Sequence, residues 1–246
     1  MTDGDIFMHG VASPAGNQAS HRLYSWAAVA SALLIFAGFA RTFYLRGVTD
    51  APSLSALQAL HGTVMTLWFA LFIVQTQLVA AGRTDLHRRL GVAGGLVAAV
   101  ILPVGVMTAI DAARRGVSPT PEITPAMFMA IPMADMVVFS ILVGLALWNR
   151  RRSEPHRRLM LLATLSILTP SVARLPLAFI QQGGLPVFFG ITLLAVVACV
   201  AIDAVRNKRL HPAFGWGGAF VVLSVPLRLV VSGTPGWQRF ATWLLS

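Results

Sequence analysis

Hydrophobic residues occur along this chain in long runs, and short polar stretches separate the runs. Seven runs reach the roughly 20 apolar residues that an α-helix needs to cross a bilayer. The connections between them are short, so neighbouring helices should pack antiparallel. The pattern predicts an all-α, polytopic membrane protein with seven transmembrane helices, at Tyr24–Leu45, Leu57–Ala80, Leu90–Ala112, Ala126–Trp148, Leu159–Ile180, Val187–Val205 and Ala213–Val231.

The polar ends of the chain set the predicted domain limits. Residues 1–20 lack the basic start and the cleavage pattern of a signal peptide, so we expect a retained, flexible cytoplasmic tail. Residues 21–232 form the seven-helix transmembrane domain. In residues 233–246, Trp237, Phe240, Trp243 and Leu244 recur at helical spacing. This tail should be an amphipathic helix that lies on the membrane surface.

Composition supports a membrane environment. Hydrophobic residues make up 56% of the chain and charged residues 11%, whereas a soluble domain is about half apolar and a quarter charged. The net charge of +10 could suggest nucleic acid as a partner. Because the basic residues lie in short loops beside apolar runs, membrane lipids are the expected partners and nucleic acid is not. The single cysteine, Cys199, excludes an intrachain disulfide.

Three basic turns resemble one another and set the predicted orientation. They are Leu86–Gly91, Pro155–Met160 and Leu210–Gly215, and each contains one histidine. If they share a side of the membrane, that side has twelve Lys and Arg residues and the opposite side has five. The excess predicts a cytoplasmic N-terminus and an external C-terminus in the inner membrane of a bacterium. We also expect the hydroxyls of Thr84 and Ser153 to N-cap the helices that follow.

Ionisable residues inside the predicted spans indicate a polar pocket in the outer half of the membrane. Such residues usually face protein or a water-filled cavity and often mark a functional site. We expect the arginines to pair with Asp135 and with nearby carbonyl groups, because a lone buried charge is costly. The predicted pocket residues are His61, Met65, Trp68, Asp111, Asp135, Arg174 and Arg228.

That pocket has two interpretations at the sequence level. It could bind a small or lipid-like ligand, including a quinone, in a transporter, a sensor or an accessory subunit of a membrane complex. The same residues could instead form a buried network that only fixes helix packing. A third alternative is a membrane hydrolase that uses His61 and Asp135, but the sequence has no metal-binding histidine motif and we predict no metal site.

The turn histidines support an alternative function in electron transfer. His87, His156 and His211 could reach one membrane depth and supply axial ligands to a b-type haem that exchanges electrons with quinone. The competing interpretation is that each is an interfacial residue at the start of a helix, in contact with lipid phosphates.

Several motifs together resemble a group of uncharacterised bacterial seven-helix inner-membrane proteins. They are His61-Gly62 with Trp68 and Gln75, the stretch Gly82–Gly91, the stretch His156–Met160, and Arg174-Leu175-Pro176. The resemblance implies the seven-helix fold and no assigned activity. A more remote similarity is to b-type cytochrome-like membrane families, from which this chain departs because His61 has no second histidine at its depth. Small-residue faces on helices three and seven are compatible with a homodimer or with a larger membrane complex.

Overall fold

The computed structural model describes residues 14–119 and 123–246, and it describes side chains from residue 22 onward. Helix is the dominant structure, at 84% of residues, and the described ranges contain no strand. A π-helical turn at Ala40–Tyr44 and a 3-10 turn at Arg46–Val48 follow the first helix. The α-helices are α1 Pro14–Phe39, α2 Ala56–Ala80, α3 Thr84–Arg114, α4 Pro125–Trp148, α5 Ser153–Ser166, α6 Thr169–Val172, α7 Ala178–Asn207, α8 Pro212–Ser232 and α9 Pro235–Leu245.

Six of the described helices are long and apolar enough to cross a membrane. They are α1 with its π-helical extension, α2, α3, α4, α7 and α8. Their order agrees with six of the seven predicted spans, so the all-helical architecture with several candidate membrane-spanning helices is confirmed. The predicted fifth span, Leu159–Ile180, is not among them.

The region of the fifth span is a broken helix. The amide nitrogen of Pro170 would have to bond to the carbonyl of Ser166, and that of Pro176 to the carbonyl of Val172, but proline has no N–H. Accordingly α5 ends at Ser166 and α6 ends at Val172. An irregular turn, residues 173–177, then leads into α7. A single continuous helix over the predicted fifth span, Leu159–Ile180, is therefore not observed.

The short α5 lies at the centre of the bundle. Its residues Leu161, Leu162 and Ala163 have no exposed surface, and α5 packs against α4, α8, α1 and α7. A helix that is buried on all sides can be apolar around its whole circumference. The surrounding helices leave large apolar side chains on the outside of the bundle, as expected of surfaces that face lipid.

The helix starts differ from those that we expected. Thr84 and Ser153 are the first helical residues, and neither α3 nor α5 has a side-chain cap, so the predicted caps are wrong. Helix α8 is capped instead by His211, whose Nδ1 accepts a hydrogen bond from the backbone N–H of Ala213 at 3.1 Å. A histidine turn therefore begins this helix with the histidine itself as the cap.

The two ends of the chain add to the bundle. Helix α1 begins at Pro14, inside the predicted tail of residues 1–20, and residues 1–13 of that tail lie outside the described residues. Helix α9 packs against α3 and α4, with Ala241 fully buried. The indole nitrogen of Trp237 donates to the carbonyl of Ala126 at 2.8 Å, which anchors α9 to the start of α4.

Candidate functional site

A glycine lets two backbones meet beside the candidate site. A Cβ atom at Gly38 of α1 would collide with the carbonyl oxygen of Ser171 in α6. Only glycine permits this approach without a shift of one helix. The contact fixes α6, and therefore the turn that follows it, against the end of α1.

That turn carries Arg174. The side chain is exposed, its Nη1 donates to the carbonyl of Pro170 at 2.9 Å, and its Cζ lies 4.7 Å from the centre of the Phe39 ring. The turn itself is closed by Gln181, whose amide donates to the carbonyls of Ala173 and Leu175. No described carboxylate forms an ion pair with Arg174.

His61 lies on the second turn of α2 and is half-buried. The guanidinium of Arg174 is near enough for its charge to act on this imidazole, but the two side chains form no hydrogen bond with each other. Within the described part of the chain, the imidazole of His61 makes no hydrogen bond to the protein. We call His61 and Arg174 the Arg174 site. It combines a guanidinium and an imidazole, which are both suited to bind an anion or a carbonyl oxygen.

The other predicted pocket residues on α2 belong to the core. Met65 is partly buried against the main hydrophobic cluster. Trp68 is 3% exposed and packs edge-on against Phe139 of α4, with ring centres 5.0 Å apart. Its indole N–H is buried without a hydrogen-bond partner. These two residues continue the face of α2 below His61 into the bundle.

Asp135 and Arg228 form a buried ion pair between α4 and α8. Arg228 also donates to the hydroxyl of Ser224 at 2.8 Å and to its carbonyl at 3.1 Å, and it stacks on Phe189. Arg228 therefore pairs with Asp135 as predicted, whereas Arg174 does not. These partners neutralise both charges within the protein, so the pair can have a structural role without a ligand.

Asp111 is separate from the other predicted residues. It forms an ion pair with Arg115, one helical turn away, at 2.9 Å at the exposed end of α3. A neighbour at i+4 on the same helix satisfies the carboxylate locally. The structure thus does not place Asp111 with His61.

A second charged cluster was missed at the sequence level. Arg158 of α5 is only 1% exposed, and its guanidinium binds Asp203 of α7 through Nε and Nη2, at 2.9 and 3.1 Å. The hydroxyl of Tyr24 donates to the same carboxylate at 3.3 Å, and Phe214 of α8 lies under the guanidinium at 5.6 Å. The cluster therefore connects α1, α5, α7 and α8.

Glu154 completes this cluster from the start of α5. Its carboxylate forms ion pairs with both Arg157 and Arg158. Arg157 in turn lies over the ring of Tyr24, 5.2 Å from its centre. We call the set of Tyr24, Glu154, Arg157, Arg158 and Asp203 the Arg158 network. Its signal in the sequence was the lone Asp203 within an apolar run, which needs a cation at the same depth.

The Arg158 network and the Asp135–Arg228 pair lie far apart along the bundle. Phe214 contacts the first and Arg228 belongs to the second, and both residues are on α8. Fourteen residues separate them, which corresponds to about 21 Å of helix. The bundle therefore has a buried ion pair near each end.

The turn histidines do not form one ligand set. The rings of His87 and His156 are 6.3 Å apart, whereas His211 caps α8 beside the Arg158 network. The described residues contain no group of three or more histidine, cysteine or acidic side chains that could hold a metal ion.

Hydrogen bonds to Nδ1 fix which imidazole nitrogen carries the proton. With its amide oriented to satisfy Gly91 N–H, Gln75 donates to Nδ1 of His87. Nδ1 of His211 likewise accepts a hydrogen bond. In both neutral rings the proton is then on Nε2, which has no lone pair for iron. Nδ1 of His156 faces the carbonyl of Ala146 at 2.8 Å and must donate, so among these three His156 has a free Nε2 lone pair. A haem held by His87 and His156 would need the opposite arrangement at His87, with the Gln75 oxygen accepting from Nδ1–H so that Nε2 is free.

No protein-family model, curated protein or solved structure matches the chain. The similarity to seven-helix bacterial membrane proteins therefore stays a prediction, and the assignment of function depends on the geometry of the chain.

Proposed function

We propose that this chain is a multi-pass protein of the bacterial inner membrane that binds a small or lipid-like anionic ligand at the Arg174 site. It would act as a transporter, a sensor or an accessory subunit of a membrane complex. The ligand presents a carboxylate or a phosphate to the guanidinium of Arg174 and the imidazole of His61.

In this proposal the chain crosses the membrane seven times. The broken segment of α5 and α6 runs from Ser153 to Val172 and provides the crossing that is not a single helix. The distribution of basic residues supports a cytoplasmic N-terminus and a periplasmic C-terminus. The Arg174 site is then near the periplasmic surface, where a ligand can reach it from water or from the outer leaflet.

One observation carries the proposal: of the three described arginines that lie over a phenylalanine ring, Arg158, Arg174 and Arg228, only Arg174 forms no ion pair with a described carboxylate. Arg158 and Arg228 are buried and paired with Asp203 and Asp135. Arg174 makes one hydrogen bond to a backbone carbonyl and stacks on Phe39. Most of its N–H donors are therefore available to a ligand, and charge-assisted bonds to an anion are among the stronger hydrogen bonds in proteins.

His61 adds to the case because its imidazole lies within reach of the Arg174 charge and makes no hydrogen bond to a described residue. A neutral imidazole can both donate and accept a hydrogen bond. The site thus suits a ligand with an anionic oxygen for Arg174 and a second polar atom for His61. Phe39 and the face of α2 that continues to Met65 supply apolar surface for the rest of a lipid-like molecule.

The test measures thermal unfolding of the full chain in mild detergent with three probes: inorganic phosphate, hexanoate and a short-chain phosphatidic acid. A ligand that binds only the folded state raises the melting temperature as its concentration passes the dissociation constant. We expect at least one probe to stabilise the wild type. The free and lipid-borne anions distinguish a soluble ligand from a lipid headgroup.

Two variants and a control locate the binding. Arg174→Gln should abolish the stabilisation and His61→Ala should weaken it. Arg41→Gln removes an exposed arginine just after α1 and should leave the stabilisation intact. Either of two results would overturn the proposal: no stabilisation of the wild type by any of the three anions, or an unchanged stabilisation in Arg174→Gln.

A further inference from the structure

A groove runs between α2 and α3, away from the Arg174 site. Its volume is about 480 Å³. The wall formed by α2 uses residues four apart, and the wall formed by α3 uses residues three, four and seven apart, so each wall is one face of its helix. All but one of the lining side chains are apolar: Val74, Leu78, Leu86, Arg89, Leu90 and Ala93.

Both walls belong to helices that are long and apolar enough to cross a membrane. From Leu86 to Ala93 the groove extends about 10 Å along α3. An apolar groove of this kind on the outside of a membrane bundle is filled by hydrocarbon, and a lipid acyl chain has the matching shape. The apolar lining alone would accept any lipid.

The charges at one end of the groove select among lipids. Arg89 lies in the groove wall and Arg88 is adjacent, and both side chains are exposed. Neither forms an ion pair with a described carboxylate. The one acidic residue of this turn, Asp85, forms an ion pair with Arg83 at 3.6 Å. Two positive charges without an ion-pair partner among the described residues therefore lie at the groove, within two turns of the start of α3.

The start of α3 adds to the positive potential. The side chain of its N-cap residue, Arg83, does not cap the helix, so the first backbone N–H groups of α3 have no side-chain acceptor from that residue. The helix dipole favours negative charge at this position. An anionic headgroup placed between Arg88 and Arg89 would meet two guanidinium groups and the helix terminus together.

We propose that the α2–α3 groove is a binding site for an anionic phospholipid. One acyl chain lies between α2 and α3, and the phosphate contacts Arg89 and Arg88. The site is independent of the Arg174 site, since the two share no residue and α3 contributes only to the groove.

The experiment uses the full chain in mild detergent and native mass spectrometry to measure the fraction that retains a bound lipid. The probes are dioleoyl phosphatidylglycerol and dioleoyl phosphatidylcholine, which have the same chains and differ in net charge. We expect the wild type to bind phosphatidylglycerol about tenfold more tightly, because the choline cation of phosphatidylcholine offsets the charge of its phosphate beside the two guanidinium groups.

Three variants separate the headgroup from the chain. Arg89→Gln should reduce the affinity for phosphatidylglycerol to that for phosphatidylcholine. Val74→Trp should fill the groove and lower the affinity for both lipids. Arg151→Gln removes an exposed arginine from another turn and should leave the preference unchanged. Equal losses in Arg89→Gln and Arg151→Gln would show general surface charge, and retention of both lipids in Val74→Trp would show that no chain occupies the groove. Either result overturns the proposal.

Discussion

The Arg158 network and the Arg174 site use the same side chain in opposite ways. Each arginine lies over a phenylalanine ring, Arg158 over Phe214 and Arg174 over Phe39. Arg158 is 1% exposed and has two carboxylates within ion-pair distance. Arg174 is exposed and forms an ion pair with no described carboxylate. Aromatic stacking alone therefore does not distinguish a packing role from a binding role.

The difference follows from the cost of burying charge. A charge removed from solvent must be neutralised within the fold, because leaving it alone costs several kcal/mol. The chain places Asp203 and Glu154 beside Arg158 for that reason. A charged group that stays accessible needs no such partner, and its hydrogen-bond donors can bind a ligand. The predictions below test this contrast from the largest expected effect to the smallest.

The largest effect should come from breaking the Arg158 network. Arg158→Met leaves the buried Asp203 carboxylate with the Tyr24 hydroxyl as its one remaining side-chain partner among the described residues. Loss of one partner of a buried ion pair destabilises a protein by about 3–5 kcal/mol. Unfolding in mild detergent with increasing denaturant would measure this loss.

The double variant Arg158→Met/Asp203→Leu is the matched control. It replaces both charges with apolar side chains, and such replacements are often neutral or stabilising. We expect it to recover most of the stability that the single variant loses. A double variant as unstable as Arg158→Met would mean that the arginine stabilises the bundle by packing alone and that its charge pairing is incidental.

The next effect concerns the contact that positions Arg174. Gly38→Ala places a methyl group against the carbonyl oxygen of Ser171, and α6 must shift. Overpacking of this kind costs about 1–3 kcal/mol. We expect that loss together with weaker stabilisation by anions, because the turn after α6 carries Arg174.

Gly144→Ala provides the control for helix propensity. Gly144 lies in α4 with open space where a Cβ would be, so alanine should be neutral or slightly stabilising there. If Gly38→Ala behaves like Gly144→Ala in both stability and anion response, the close approach of α1 and α6 is unimportant for the site.

The sequence predicted the helices well and the charge pairs only in part. Long apolar runs locate spans reliably because a bilayer demands continuous helix. The break in the fifth span was harder to foresee. Pro170 and Pro176 were visible, but proline is tolerated inside other helices of this chain, at Pro103, Pro132 and Pro226. Whether a proline ends a helix depends on the packing around it, which one sequence does not show.

The pairing of charges depends on tertiary contacts. Asp135 and Arg228 lie inside apolar runs, so each needed a partner of opposite charge and the sequence indicated the pair. Arg158 stands in a run of basic residues that is typical of a solvated turn, and its partner Asp203 is 45 positions away. Nothing local distinguishes Arg158 from Arg157. Only the position of α5 at the centre of the bundle shows which of the two side chains is buried.

A smaller effect should appear when pH falls near the Arg158 network. Burial, and then the charge of Arg158, hold the pKa of His211 below its ordinary value of 6.5. The unfolded chain therefore takes up this proton at a higher pH than the folded chain does. The stability contributed by His211 is complete above about pH 6.5 and is lost as pH falls below it.

Protonation of His211 also removes the Nδ1 lone pair that caps α8, which is worth about 0.5–2 kcal/mol. His211→Asn keeps an N-cap without a titratable group. Unfolding measured between pH 7.5 and 5 should show a decline in the wild type that is smaller in His211→Asn by about that amount. Parallel declines in the two proteins would assign the pH dependence to other groups.

The smallest effect should come from Arg174 itself in the absence of ligand. Arg174→Met removes one hydrogen bond to the Pro170 carbonyl and the cation over Phe39, and the thioether side chain can still pack on that ring. Because the arginine is exposed and no described carboxylate depends on it, the loss should be about 1 kcal/mol or less. The comparison with Arg158→Met, an identical substitution, isolates the effect of the carboxylates. A loss as large as that of Arg158→Met would mean that Arg174 is a structural cation whose partners the bundle requires, and the contrast between the two arginines would fail. If instead Arg174→Met loses little stability and no longer responds to anions, Arg174 contributes little to the fold and its charge serves to bind the anion.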